Sequence, residues 1–301
     1  MAKVSIIIPS RNEVFQTAEG ENVLVRMVRD IYEKATGEFE VIVGFDGPPY
    51  LDFPDYPNFR TVKLPGVVGV KMQVNILSVL ATGKYLFKSD AHCMFDRGFD
   101  EVLQADMQDN WVVTPRFYIL DGYNWKWQDE RHYDYFFLSC PFTDPRGFRF
   151  KAGGHWPQLT AEREGINLID ETPQFHGSGW FVSKDFFVNQ IGGYWVADAE
   201  GHAQEPPHLG LRTWLGPWDG KVMVNKKTWY AHMHQETRNK GFDLGRSAER
   251  RTYDLYARYW MGNKWAERAH DIEWFVEKFY PMPTWPEDWR ERLAEWRRNE
   301  N

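Results

Sequence analysis

The first 115 residues alternate between two hydrophobic periods. Val4-Ser5-Ile6-Ile7-Ile8 is a run rich in β-branched residues halted by Pro9, which predicts a buried strand. Asn22 to Ala35 carries apolar residues at Val23, Met27, Val28 and Ile31, a helical spacing. Phe39 to Phe45 reads as a second buried strand, ended by Asp46-Gly47-Pro48, and Arg60 to Leu64 as a short third. Val70 to Ala81 is helical and Gly83 supplies its stop; Tyr85 to Ser89 is a fourth strand. A helix over Phe99 to Met107 and a strand over Trp111 to Thr114, before Pro115, complete the series.

Strands alternating with helices predict an α/β fold with a mostly parallel sheet and right-handed crossovers. Ligands of such sheets bind beyond the carboxyl ends of the strands. That directs attention to Pro9–Glu13, Asp46 and Asp90–His92. Residues 118–175 read as irregular, rich in Gly, Pro and aromatics. Beyond them come a short helix over Lys184 to Gln190, a helix over Leu209 to Leu215, and strands over Lys221 to Asn225 and Thr228 to His234. From about Arg246 the pattern is two or three amphipathic helices broken at Pro281, Pro283 and Pro286. We place the catalytic domain at 1–235 and a helical extension packed on it at 236–301.

Composition adds one unusual feature to 301 residues of ordinary hydrophobic and charged content: 15 Trp, 14 Tyr and 21 Phe, with ten of the Trp at or after Trp195. Most suit an aromatic core, and a few suit the lining of a sugar or acceptor groove. The net charge of −7 does not point to a general nucleic-acid binder. A local basic stretch of Arg238, Lys240, Arg246, Arg250, Arg251 and Arg258 fits a solvated helix face better than a binding surface. Two cysteines, no signal-peptide pattern and no apolar run of membrane length lead to the expectation of a cytoplasmic protein.

The sharpest chemical feature is Ser89-Asp90-Ala91-His92 at the end of a strand. In extended chain, Asp90 and His92 point the same way and can grip one cation. A carboxylate with an imidazole favours Mn²⁺ over Mg²⁺, which prefers oxygen ligands alone. The bland alternative is an Asp capping a turn and a His packed nearby. In Tyr230-Ala231-His232-Met233-His234, either histidine can complete a ligand set, or both can be core. Glu205, before a helix start, is a carboxylate placed to face the sugar or to take the proton of an attacking hydroxyl. Acids are common at that position in any case. Asp46 is either turn chemistry or an acceptor for a nucleobase N–H. There is no G-x-G-x-x-G, Walker A loop, G-x-S-x-G elbow or C-x-x-C.

In order along the chain, these segments resemble the GT-A glycosyltransferases. Val4–Glu13 (VSIIIPSRNE) and Phe39–Gly47 (FEVIVGFDG) look like the opening strand and second strand of family-2 glycosyltransferases. Ala81–Cys93 (ATGKYLFKSDAHC), Gly177–Tyr194 (GSGWFVSKDFFVNQIGGY), Glu205–Trp214 (EPPHLGLRTW) and Tyr230–His232 are similar to segments of the polypeptide N-acetylgalactosaminyltransferases. The resemblance implies a nucleotide-sugar transferase whose Asp90, His92 and His232 bind a divalent ion, with His234 as the substitute for His232. It implies that Pro9, Ser10, Arg11, Glu13 and Asp46 hold the nucleoside, a uridine. Ser89 and the Gly177-Ser178-Gly179-Trp180 segment would meet the donor, the glycines allowing close backbone approach, with Lys71 the nearest cation where the galactosaminyltransferases carry arginines.

The departures limit what carries over. His208 and Pro206 stand where the galactosaminyltransferases have Glu and Asn, and their arginines before the metal segment are not reproduced. Donor sugar and acceptor (protein, glycan or lipid head group, or a hydroxylated base in nucleic acid) stay open. So does stereochemistry, since family-2 enzymes invert and galactosaminyltransferases retain. The competing readings are a metal-dependent phosphoester hydrolase and a non-catalytic sugar-binding protein.

Overall fold

The computed structural model describes residues 3–150, 154–195, 204–234 and 246–300. The first half runs β1 (Val4–Ser10), α1 (Val23–Lys34), β2 (Phe39–Phe45), β3 (Phe59–Lys63), α2 (Val70–Leu80), β4 (Tyr85–Ser89), β5 (Cys93–Phe95), α3 (Phe99–Ala105) and β6 (Trp111–Asp121). The middle adds β7 (Lys126–Tyr133), β8 (Phe136–Phe137), β9 (Gly154–His155), α4 (Pro157–Glu162) and β10 (Ile169–Glu171). After β11 (Gly179–Ser183) and a π-helical turn at Phe186–Gln190 come α5 (Glu205–Leu215) and β12 (Lys221–His232). The chain closes with α6 (Arg246–Met261), α7 (Ile272–Phe279) and α8 (Trp289–Glu300), and the three prolines fall between α7 and α8 as the sequence predicts.

One sheet carries the molecule, in the order β10-β12-β6-β11-β4-β1-β2-β3, with β5 added to β12 and β7 to β6. β1 to β4 pair in parallel, as does β12 with β6, while β11 runs antiparallel between β4 and β6. The continuous apolar runs are explained by burial of both faces. Ile7, Ile42, Leu86, Val182 and Val222 point into one core with α2, α5 and the apolar residues of α6–α8. Their neighbours Ile6, Ile8, Val41, Val43, Phe87, Phe181 and Met223 point into the other, with α1 and α3. Asn22 caps α1 by accepting the Leu24 N–H at 2.9 Å.

The middle is more ordered than its sequence suggests. β6 passes through Pro115 instead of stopping there, and β12 is continuous where two strands were expected. The register between them shifts between Asn225 and Trp229, opposite the Pro115–Arg116 step. A proline has no N–H for the ladder, and the bulge absorbs that gap. β7 was hidden because it is an exposed, charge-rich edge strand, KWQDERHY. No described helix is long and apolar enough to cross a membrane. Of the basic stretch, Arg238 and Lys240 lie outside the described residues; Arg250 and Arg251 are exposed on α6, and Arg258 pairs with Asp254 and Glu300.

Candidate active site

β4 ends at Ser89, and the Asp90 N–H donates to the Ser178 carbonyl at 2.8 Å. The chain then turns through Ala91 and His92 into β5, which pairs with the end of β12 and sets His232 opposite Cys93. The Met233 N–H donates to the His92 carbonyl at 3.1 Å and locks the turn to β12. Ligand atoms of Asp90, His92 and His232 thereby come within 4.8 Å of one another. His232 Nε2 is 3.3 Å from Asp90 Oδ2 and 3.0 Å from His92 Nε2. The expected convergence is present, but its cause differs. Strand alternation does not produce it, since the strand has already ended; the turn and the cross-strand pairing do.

The sequence reading overlooked Lys88. It is 1 % exposed, and its ammonium donates to Asp90 Oδ1 and, at 2.7 Å, to the Gly177 carbonyl. Burial pushes this ammonium down, but the carboxylates of Asp90 and Glu205 outweigh it and hold Lys88 above its ordinary value. Burial also opposes the Asp90 charge, yet Lys88, followed by His232 and His92, holds its carboxyl well below the usual range. Burial pushes His232 down to about 3, so its ring is neutral and keeps a lone pair for a metal. A lysine inside the apolar strand YLFKS was the signal that could have exposed the site.

Glu205 opens α5 and is 8 % exposed. Its Oε1 is buried and has no hydrogen-bond partner among the described residues. Burial raises its carboxyl to about 7, with Asp90 adding to the rise and Lys88 and Lys71 opposing it. Lys71, itself lowered by burial, lies 5.1 Å from the Tyr256 ring centroid, so α6 reaches the margin of the site. His208 is buried behind it, pushed down to about 3 by burial, and accepts the Trp195 N–H at 3.4 Å. Residues 201–203, which lead into α5, lie outside the described residues.

The expected nucleoside loop occupies the ends of β1 and β2. Pro9 and Ser10 sit opposite Gly44 and Phe45, Arg11 follows, and Ser10 Oγ is buried without a hydrogen-bond partner among the described residues. Glu13 lies 3.5 Å from His92 Nδ1, which ties this loop to the cation candidates. Asp46 accepts the Val68 and Gly69 N–H groups at 2.6 and 3.0 Å, so in this structure its carboxylate fixes the loop before α2.

The donor-binding expectation needs two corrections. Trp180 is fully buried against Phe187 and Tyr194 and presents no face to a ligand. Gly179 is small because the Tyr230 ring would lie 2.7 Å from its Cβ, so it accommodates core packing and not a sugar. Gly177 does border the site: a Cβ there would meet Pro206 at 3.0 Å and Glu205 Oε2 at 3.8 Å. Ser89 is buried, and Ser178 Oγ bonds His176 Nδ1 at 2.6 Å and the Tyr230 hydroxyl at 3.0 Å. His234 groups with His176 and His232, not with Asp90 and His92. His176 was missed although it stands immediately before the Gly-Ser-Gly segment.

The family model described as Glycosyl transferase family 2 matches residues 5–187, well over half of the chain. The chain belongs to that family. The loop after β1, the Asp90–His92 turn and β11 all fall within the matched stretch. The structure of GalNAc-T7 with UDP, GalNAc and Mn²⁺ superposes with a TM-score of 0.59 at 16% identity, covering 92% of this chain and 54% of that one. Similarity at this level establishes the GT-A arrangement: a mixed, mostly parallel sheet flanked by helices. The chain spans about half the length of that neighbour. S. aureus TarS 1–349 in complex with UDP-GlcNAc gives a TM-score of 0.48 at 10% identity, covering 80% and 61% of the two chains. No curated protein matches the sequence.

Proposed function

We propose that this family-2 chain transfers a sugar from a nucleoside-diphosphate donor, a UDP-sugar, to an acceptor hydroxyl, with Asp90, His92 and His232 holding a divalent cation. The observation that carries the reading is the convergence of these three side chains beyond β4, beside a buried glutamate of raised pKa. One carboxylate and two imidazoles suit Mn²⁺ better than Mg²⁺. The cation, when bound, supplies positive charge for the departing diphosphate.

The protein's own groups have separable tasks. Lys88 fixes the Asp90 carboxylate and adds a buried positive charge where negative charge develops on the leaving group. Glu205, titrating near neutrality, accepts the proton of the attacking hydroxyl as its oxygen bonds to the anomeric carbon. Lys71 faces Glu205 and supports its ionised form. Ser10 and the loop to Glu13 orient the nucleoside.

The test is nucleoside-diphosphate release from a panel of nucleotide sugars, with Mn²⁺, with Mg²⁺ and with chelator. Mn²⁺-dependent release from a UDP-sugar is expected, lowered at least about a hundredfold in Asp90→Ala with the fold intact. Undiminished turnover in Asp90→Ala, or full turnover under chelation, would reject the cation assignment. Phosphate release from simple phosphoesters would favour a hydrolase instead.

A further inference from the structure

His176, His232 and His234 form a second potential ligand set, with one nitrogen from each within a mutual 4.8 Å. Their ring centroids are 5.4 to 5.8 Å apart. Phe117 walls the group, stacking on His176 at 4.6 Å and meeting His234 edge-on at 6.0 Å. Two details indicate a built site. His232 is 6 % exposed; its Nε2 faces Asp90 and His92, and its Nδ1 is buried with no hydrogen-bond partner among the described residues. His176 is oriented through Nδ1, which lies 2.6 Å from the Ser178 hydroxyl, held in turn by the Tyr230 hydroxyl, and accepts the Ser178 N–H at 3.4 Å; ligation through Nε2 requires Nδ1 to take the proton and donate it to that hydroxyl. This second-sphere support is what ligating imidazoles ordinarily have.

We infer that His176, His232 and His234 are a three-imidazole site for a nitrogen-preferring transition ion, for which Zn²⁺ is the appropriate probe, and that it competes with the Asp90 site for His232. Three histidines with an open fourth position are a recurrent zinc arrangement. The competition follows from lone-pair count. A neutral imidazole has one acceptor nitrogen, the other carrying the proton. With one acceptor nitrogen, His232 can serve the Asp90–His92 side or the His176–His234 side, but not both at once. Zn²⁺ held by the three histidines withdraws His232 from the other set. The competition, though not the Zn²⁺ site itself, rests on the cation assignment proposed above.

The test uses the full-length protein, stripped of metal, with Zn²⁺ affinity read by competition with a chromogenic chelator and Mn²⁺ affinity by electron paramagnetic resonance. His234 is only half-buried, so His234→Gln is the variant of choice, with His176→Gln beside it. Each should weaken Zn²⁺ binding by about tenfold to a hundredfold and leave Mn²⁺ binding in place. Asp90→Asn should do the reverse, and Zn²⁺ should displace Mn²⁺ from the wild type but not from His234→Gln. X-ray absorption of the Zn²⁺-loaded wild type, which needs no variant to fold, should show three imidazoles. Zn²⁺ affinity that falls in Asp90→Asn and holds in both histidine variants, or a spectrum with two imidazoles and a carboxylate, overturns the site. Zn²⁺ and Mn²⁺ bound together without mutual displacement overturns the competition. If Mn²⁺ does not bind while Zn²⁺ binds through His176 and His234, the cation assignment fails and the three-imidazole site stands.

Discussion

Lys88 and Asp90, two residues apart at the end of β4, form an ion pair in which the lysine is almost wholly enclosed. The ammonium holds Oδ1, while Oδ2 is turned toward His232. Removing one partner of a fully buried pair costs about 3–5 kcal/mol, and the 30 % exposure of Asp90 sets the loss here at the lower end of that range. Lys88→Met should therefore destabilise the metal-free protein by that order. Since a dication is the natural substitute neighbour for Asp90, Mn²⁺ should raise the melting temperature more in Lys88→Met than in the wild type. Differential scanning fluorimetry with and without Mn²⁺ measures both effects. An equal metal-induced shift in the two proteins would show that Lys88 and the cation do not share Asp90.

Glu205 couples function to stability. Its carboxyl sits near 7 in the folded state, against an ordinary value of 4.5. Below the ordinary value both folded and unfolded chains are protonated and the group contributes no difference. Between 4.5 and about 7 the folded chain keeps a proton that the unfolded chain has released, so stability falls as pH rises. Above 7 the loss is complete and, for a shift of this size, on the order of 3 kcal/mol. Glu205→Gln should accordingly stabilise the metal-free protein at pH 8 and leave it nearly unchanged at pH 4.5. Turnover should fall by at least about a hundredfold, since a base has been lost. Urea denaturation at the two pH values checks the sign; equal effects at both would mean that Glu205 is not held protonated by its burial.

Activity should follow the same group. A base must be ionised to act, so kcat/KM is expected to rise with pH toward a plateau. A bound dication favours the carboxylate, which places the midpoint below the metal-free value of about 7. The acid limb should be absent from the residual activity of Glu205→Gln. A wild-type profile flat from pH 5 to pH 8 would remove Glu205 from the role of base.

The half of the fold made of uninterrupted apolar runs was legible in sequence because both sheet faces are buried, as Ile7 and Ile8 in opposite cores illustrate. β7 was not legible, since an exposed edge strand has no apolar face to display a period. The Asp90–His92 pair was legible as spacing alone. Lys88, Gly179 and His176 owe their roles to partners 89, 51 and 56 residues away (Gly177, Tyr230 and His232), and no local pattern carries such distances. Trp180 shows the opposite failure. The resemblance of the Gly177–Tyr194 segment set it at the donor, yet its place in β11 opposite Lys88 turns it into the core.

Gly179 gives a prediction about packing near the site. A Cβ there would lie 2.7 Å from a Tyr230 ring that has no exposed surface into which to move. Overpacking of this kind costs about 1–3 kcal/mol. Tyr230 also holds Ser178, and through it His176, so displacement of the ring propagates to the histidine group. Gly179→Ala is expected to lower stability by that amount, and Tyr230→Leu, which empties the space, should relieve part of the strain in the double variant. Non-additivity in a urea-denaturation cycle is the readout; strictly additive losses would mean that the two side chains do not clash.

The C-terminal helices supply the last prediction. Trp260 of α6 is 1 % exposed, within 6.0 Å of the His208 ring and edge-on to Tyr259 and Trp265. Its neighbours Tyr256 and Met261 belong to the same core as Ile7, Leu86 and Val182 of the sheet. A shared core of this kind unfolds as one unit, whereas an appended domain would melt separately. Trp260→Ala should cost about 3–5 kcal/mol. The loss should move one transition, seen at the same denaturant concentration by tryptophan fluorescence and by far-ultraviolet circular dichroism. Tyr256, whose ring faces Lys71 across the same packing, should then loosen, raising KM for the nucleotide sugar before kcat falls. A two-step unfolding curve in which only the first step responds to Trp260→Ala would instead mark residues after 245 as an independent folding unit.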